Sequence, residues 1–424
     1  MEQLITALFP NYHLFGNQSI TNRFFKHRDL VKILAQMHDN PLFQIREVGK
    51  SVLGRSINLV TVGNGPIKVF LWSQMHGNEA TATMALMDLF TYLGDEHAGA
   101  VRDSIMRNCT LYILPMVNPD GAEIFNRRNA QEIDINRDFN HQQSPEGRML
   151  RTLRDEIEPQ FGFNLHDQQT MWSAGDSGKP ATISLLAPAY DQVLSVNPVR
   201  LAAMQVIAKM NEQLQELIPE HVGRFDDEYE PRAFGDNFQA AGTSTILIEA
   251  GGYANDPEKQ YIRKLVFVSI LSGLLSISER TFSDKKEEDY FAIPENKLRH
   301  FQILLRNCIV QVKSPKPFDN QQAASEGEAR IATEAVLDSA FRMDIGLIAK
   351  ETVNEDLHSM RYEYVVGDLG DLSTRFAYKD LDCSSFTLIQ TQKLQPDELA
   401  DIVLMDGTEV LLAIEKGILT NCTV

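Results

Sequence analysis

The chain has 424 residues, with 40 Lys+Arg against 58 Asp+Glu and a formal net charge of −18. Hydrophobic residues make up 43% and charged residues 23%, the balance of a globular chain that can bury its own core, which argues against large-scale disorder. The acid excess argues against nucleic acid or an anionic membrane as partner, and Cys109, Cys308, Cys383 and Cys422 have neither zinc-knuckle spacing nor a disulfide framework.

In chain order, the N-terminal residues lack a basic start, a continuous apolar stretch and a cleavage site, so no signal peptide is expected and the cytoplasm is the expected location. Short apolar runs around Gly49 and Gly54 predict a hairpin over Phe43–Val62. Lys68–Ser73 reads as a buried strand, and Glu79–Leu93 carries the apolar spacing of a helix face. Thr110–Pro115 is a further strand, closed by the turn Asn118-Pro-Asp-Gly121. Strands follow at Phe161–His166, Ile183–Ala187 and Thr245–Glu249, with helices over Pro198–Leu217 and Pro257–Ile277. The apolar run Leu265–Ile277 is too short for a membrane span and reads as a buried helix. Strands apolar on both faces, alternating with helices, predict an α/β fold with a mixed, mainly parallel sheet covered by helices on both faces.

At Ser283 a charge run through Asp289 reads as a linker. Beyond it, short runs at Cys308–Val312, Tyr364–Val366, Phe386–Ile389 and Val410–Ile414 are separated by glycines, with an exposed loop expected over Pro317–Glu328. These features divide the chain into a catalytic-type domain, residues 1–282, and a small β-rich C-terminal domain, residues 283–424, for which no chemistry is legible. Packing beside the catalytic mouth or building a homo-oligomer are the two roles considered for it.

Polar residues just after buried strands are where sites form in such sheets. His76-Gly-Asn-Glu79 follows a strand at an expected helix start, where His and Glu three apart converge; a helix-start glutamate beside an unrelated histidine is the plain alternative. His166 ends a strand, as a hydrogen-bonded core histidine also would. A His/Glu pair with a distant second His is the ligand set of a catalytic zinc site that keeps a position for water. Glu249 closes Thr245-Ile-Leu-Ile-Glu249, where a buried lone carboxylate is costly; beside such water it acts as a general base, and otherwise it is a salt-bridged strand end. Arg127, Arg128 and Arg137 lie near Asp134 in sequence, cations able to hold a carboxylate or an oxyanion.

With these pieces assembled, residues 40–280 resemble the zinc carboxypeptidase family, the M14 metallopeptidases. The resemblance is carried by Gly49-Lys-Ser51 with Gly54-Arg55, His76-Gly-Asn-Glu79, Asn118-Pro-Asp-Gly121, Asp134-Ile-Asn-Arg137, Leu165-His166 and Ile248-Glu249, in the family's order. It implies one zinc ion per chain held by His76, Glu79 and His166, with Glu249 activating the zinc-bound water and Asp134 orienting His76. It further implies that Asn136 and Arg137 bind a substrate's terminal carboxylate, and that Arg127, with Arg128 as the other choice, polarises the scissile carbonyl. Tyr229, 20 residues before Glu249, matches the family's mobile tyrosine. The region of Arg232, Asp236 and Asn237 matches the pocket for the released side chain; a solvent loop is its plain alternative.

Asn78 stands where digestive members have arginine, and only 86 residues separate Glu79 from His166. His-Gly-Asn-Glu is similar to the aspartoacylase and succinylglutamate desuccinylase branch, which cleaves N-acyl amino acids; Asn118-Pro-Asp-Gly121 is the peptidase feature. The expected activity is a zinc-dependent metallocarboxypeptidase cutting an amide bond next to a free carboxylate in a small peptide. The alternatives are an N-acyl amino acid deacylase and a non-catalytic carboxylate-binding module.

Overall fold

The structure, a computed structural model, describes residues 8–311, 340–390 and 393–423. The expected loop Pro317–Glu328 lies outside the described residues. Two compact units divide between His300 and Phe301, with Val353–Ser359 belonging to the first.

The first unit is built on an eight-stranded sheet. Its strands are β1 (Phe43–Lys50), β2 (Ser56–Val62), β3 (Ile67–Ser73), β4 (Cys109–Leu114), β5 (Phe161–Asp167), β7 (Ile183–Leu186), β8 (Val222–Arg224) and β9 (Ser244–Ala250). β6 (Trp172–Ala174) and β10 (Asn296–Leu298) pair separately. The sheet order is β1-β2-β4-β3-β5-β9-β7-β8. β3 is parallel to both β4 and β5, and β5 to β9, while β1/β2, β2/β4 and β7/β9 are antiparallel, so the sheet is mixed as expected. Because β3 has β4 on one side and β5 on the other, the carboxyl end of β3 is a topological switch point, where a crevice opens.

Pleating sorts the side chains. Val69 and Leu71 of β3, Phe163 and Leu165 of β5, and Ile246 and Ile248 of β9 enter one core. That core is completed by α2 (Thr81–Gly94), α6 (Pro198–Leu217) and α8 (Gln260–Glu279), which follow α1 (His27–Met37) in the chain together with α3 (Ala100–Asn108), α4 (Pro119–Ile124), α5 (Pro145–Ile157) and α7 (Phe234–Ala240). Phe70 and Trp72 point the other way, to Leu150, Leu153, Phe234 and Phe238. The alternation places Asn164, His166 and Glu249 on this second face. α8 is long and apolar enough to cross a membrane, but 89% of its apolar window is buried inside the protein.

Two expectations need correction. Asn118-Pro-Asp-Gly121 is the start of α4 rather than a free turn: Asn118 caps it, its Oδ1 accepting from Gly121 N at 2.9 Å. The charge run at Ser283 does not end the first unit either. It leads into α9 (Glu287–Phe291), where Tyr290 is fully buried and its hydroxyl accepts from Ala187 N at 3.2 Å, and then into β10, paired with β6. Apolar anchors on both sides of the charges hold residues 283–300 in the first unit.

The second unit is β-rich, as expected. It holds one four-stranded sheet, β13-β12-β11-β14, and another, β15-β16-β17-β18. The first comprises β11 (His300–Gln311), β12 (Ala340–Val353), β13 (Met360–Gly370) and β14 (Phe376–Asp382). The second comprises β15 (Thr387–Gln390), β16 (Ile402–Asp406), β17 (Glu409–Glu415) and β18 (Ile418–Cys422). Its own core includes Leu305, Ile345, Val366, Leu404 and Leu412.

Candidate metal centre

His76 and Glu79 lie in the loop between β3 and α2, not on the helix itself, because α2 begins at Thr81. Glu79 N donates to His76 O at 3.1 Å, and this turn brings the two side chains together. Gly77 is required for close approach: a Cβ there would stand 2.1 Å from Gly121 C. The turn therefore sits directly on the first residues of α4. Asn118 Nδ2 adds bonds to Met75 O at 3.3 Å and Arg127 O at 3.4 Å. The hairpin motif has a matching partner in Asp120, whose carboxylate accepts from Ser51 Oγ at 2.8 Å, Leu53 N at 2.9 Å and Arg55 Nη1 at 2.7 Å.

His166 and Glu249 come from neighbouring parallel strands and occupy paired register positions. The buried ligand atoms of His76, Glu79 and His166 lie within 4.8 Å of one another. His76 Nδ1 is 2.8 Å from Glu79 Oε1, and His166 Nδ1 is 2.8 Å from Glu79 Oε2. His76 Nε2 is 3.0 Å from Asp134 Oδ1. Both ring nitrogens of His76 thus face carboxylate oxygens, which only accept, so a proton or a metal cation must sit between Nδ1 and Glu79. Two imidazole nitrogens and a carboxylate are the donor set of a catalytic zinc site, and Asp134 on the far nitrogen is the customary orienting partner. The residues fit zinc.

Electrostatics distinguish the groups. Burial opposes the charged form of His76, yet Glu79 and Asp134 outweigh it and raise its pKa. For His166 burial prevails and lowers the pKa, and its Nε2 is buried without a partner. Glu79, although buried, is held well below the usual carboxylate range by the two histidines. Glu249 is pushed well above that range by burial, then by the negative charges of Glu79 and Asp167. Its Oε2 is also buried without a partner among the described residues. A carboxyl group raised in this way at the end of a strand is suited to accept and release protons.

Arg127 spans the ligands and their support. It donates from Nε to Asp134 Oδ2 at 3.1 Å and from Nη1 to Glu79 Oε1 at 3.2 Å, and its side chain remains 44% exposed. Arg128 is elsewhere, donating to Glu132 O at 2.8 Å within its own turn. Two residues not singled out by sequence complete the floor. Lys259 Nζ donates to Asp167 Oδ2 at 3.2 Å and to Ala250 O at 3.1 Å, joining the ends of β5 and β9, and Thr81 Oγ1 donates to the same Asp167 oxygen at 2.6 Å. Only the clustering of polar residues after each strand could have pointed to them.

The model of the zinc carboxypeptidase family matches residues 29–205, the stretch that contains His76, Glu79 and His166. This stretch is similar to the zinc carboxypeptidases. Carboxypeptidase SOL1 of Arabidopsis thaliana is 27% identical over 148 residues, covering 31% of this chain and 30% of its own length. The carboxypeptidase N catalytic chain of Rattus norvegicus is 27% identical over 143 residues, covering 28% and 31% respectively. The chain thus spans about a third of the length of these curated relatives. Among solved structures, thrombin activatable fibrinolysis inhibitor superposes with a TM-score of 0.50 at 14% identity, covering 67% of this chain and 81% of that one, which establishes a shared fold.

The remaining residues named from the carboxypeptidase resemblance lie on the turn after Asp134 and on the segment that leads into α7. Asn136 and Arg137 lie on a 3-10 turn (Ile135–Arg137) capped by Asp134, whose Oδ1 accepts from Asn136 N at 3.0 Å. Asn136 Oδ1 accepts from Phe234 N at 3.0 Å. Arg137 Nε is 3.1 Å from Glu230 Oε2. Asp236, in the first turn of α7, accepts from Glu230 N at 2.9 Å, and burial pushes its pKa up to about 6. Tyr229 lies half-buried on the same loop and makes no bond to the ligands among the described residues.

Proposed function

We propose that this chain is a zinc-dependent metallocarboxypeptidase that hydrolyses the amide bond next to the free terminal carboxylate of a small peptide. The observation that supports it best is the buried His76–Glu79–His166 donor set beside Glu249, whose Oε2 has no protein partner. Zinc held by these three residues supplies Lewis acidity for the scissile carbonyl and acidifies a water.

The chain's own groups do the rest. Glu249 takes the proton of the attacking water and returns it to the leaving amine nitrogen, a task suited to a carboxyl group that burial keeps easy to protonate. Arg127 offers guanidinium hydrogens at the edge of the ligand set, where an oxyanion develops, and is held in place by Asp134. Asp134 fixes the ring of His76. Asn136 and Arg137 anchor the terminal carboxylate, with Tyr229 and Asp236 bordering the released residue.

Metal analysis joined to a panel of free-acid peptides, their C-terminal amides, murein fragments and N-acyl amino acids tests this reading. Stoichiometric zinc and cleavage of free-acid peptides are expected. Cleavage of N-acyl amino acids alone replaces the peptidase with a deacylase. Zinc binding without hydrolysis of any substrate leaves a binding module.

A further inference from the structure

The cation assigned to the substrate's carboxylate already holds one. Arg137 Nε lies 3.1 Å from Glu230 Oε2, with the two side chains only 38% and 24% exposed. Glu230 is also gripped by Arg232, whose Nε donates to Oε1 at 2.8 Å and whose Nη2 donates to Oε2 at 2.6 Å, with Arg232 N donating to Oε1 at 3.1 Å. One carboxylate is therefore shared by two guanidinium groups, and the Arg232 hydrogen bonds above all hold its pKa down. The loop carrying it is fixed at several points. Glu230 N donates to Asp236 Oδ1, Phe139 N to Arg232 O at 3.2 Å, and Asn140 and Asn237 side chains to Pro231 O at 3.0 and 2.9 Å.

We propose that Glu230 is a built-in stand-in for the substrate carboxylate and a specificity-determining residue: the terminal carboxylate of a peptide takes its place on Arg137, while Glu230 stays paired with Arg232. This rests on the reading of Arg137 as the carboxylate anchor. The exchange leaves no charge alone, because the paired oxygens on Arg232 are kept when Arg137 changes partner. A neutral group gains nothing by entering, since it cannot replace the ion pair it breaks. Glu230 thus tightens the demand for a charged terminus at the expense of affinity. The two arginines act on different carboxylates, Arg137 on the substrate's and Arg232 on its competitor's.

The test compares the zinc-loaded full chain with Glu230→Gln, Arg232→Ala and Arg137→Ala. Binding of N-acetylleucine and N-acetylleucinamide is followed by calorimetry, and kcat and KM are measured on a free-acid peptide and its amide. Expected for Glu230→Gln is tighter N-acetylleucine binding and a lower KM for the free acid, each by roughly threefold to fivefold for a half-exposed ion pair, with kcat unchanged. Arg232→Ala shifts both in the opposite direction, and Arg137→Ala removes discrimination between acid and amide. Equal binding in the wild type, Glu230→Gln and Arg232→Ala, or a fall in kcat with KM unchanged in Glu230→Gln, overturns the proposal and leaves Glu230 a loop brace. If binding follows the expected pattern but no peptide is cleaved, the exchange stands and the peptidase reading fails. If peptides are cleaved but Arg137→Ala binds acid and amide as the wild type does, the anchor is elsewhere and the exchange falls with it.

Discussion

Two buried polar clusters in the first unit make opposite use of burial. On the core side of the sheet, Asp88 of α2 meets Arg263 of α8, with Nη2 2.5 Å from Oδ1 and Nε 2.8 Å from Oδ2. Asn17 N and Tyr12 Oη fill the remaining positions on Asp88, while Arg263 also donates to Ile20 O and Asn17 O. Both carboxylate oxygens have partners, and the cluster ties the N-terminal segment to two helices. At the carboxyl ends of β5 and β9, by contrast, His166 Nε2, Asp167 Oδ1 and Glu249 Oε2 are buried with none. Groups that are desolvated and left unpaired cost stability, and that cost persists where a ligand or a reaction makes use of them. The closed cluster has the pairing of a structural brace, and the open one has the unpaired atoms that the proposed chemistry would use.

Substitutions can break this contrast. The largest effect is expected for Glu249→Gln, which should lower kcat by on the order of 10³-fold while zinc content is retained and the melting temperature does not fall. A variant that melts earlier with normal turnover would move Glu249 into the structural class. Asp88→Asn should do the reverse. It leaves Arg263 buried without a countercharge and should cost about 3–5 kcal/mol in denaturant unfolding, with zinc affinity unchanged. Loss of zinc affinity there would show that the clusters are coupled.

Asp236 gives a pH-dependent test between these extremes. Burial raises its pKa to about 6 from 3.8, so between these values the folded state holds a proton that the unfolded state releases. Stability should therefore fall as pH rises through that window, by up to about 3 kcal/mol at 1.36 kcal/mol per pKa unit. Asp236→Asn keeps an acceptor for Glu230 N, and comparing its urea unfolding with wild type at pH 3.5 and pH 8 should show a gain only at pH 8. The smallest effect is expected for Asp134→Asn, about 10–100-fold weaker zinc affinity in competition with a chelator, since it weakens the support of His76 without removing a ligand.

The parts of the fold legible in sequence were those with strong periodic signals. β3, β5 and β9 are apolar runs ended by polar residues, and α6 and the apolar part of α8 show in their composition. β12, β6 and β10 carried no such signal: exposed and half-exposed residues interrupt any alternation in β12, and the other two gain their meaning only from pairing with each other. In the site, His76 and Glu79 stand out in sequence because they follow a strand, and His166 and Glu249 because they are polar residues near the ends of apolar strands. The choice between Arg127 and Arg128 could not be made from spacing. In the tertiary structure the two differ, with Asp134 capturing the Arg127 guanidinium and the Glu132 carbonyl that of Arg128. Lys259 and Asp167 are illegible for the same reason, since they pair with each other across 92 positions of the chain.

The paired register of His166 and Glu249 has a consequence for how this scaffold can be altered. Adjacent strands lie roughly 4.8 Å apart, a spacing set by backbone hydrogen bonds and indifferent to side-chain identity elsewhere. His166 and Glu249 are thus ruled onto the molecule like marks on a scale. Surface segments such as 225–233 are attached beside that scale without being part of it. Exchanging them leaves the spacing of His166 and Glu249 as the ladder set it.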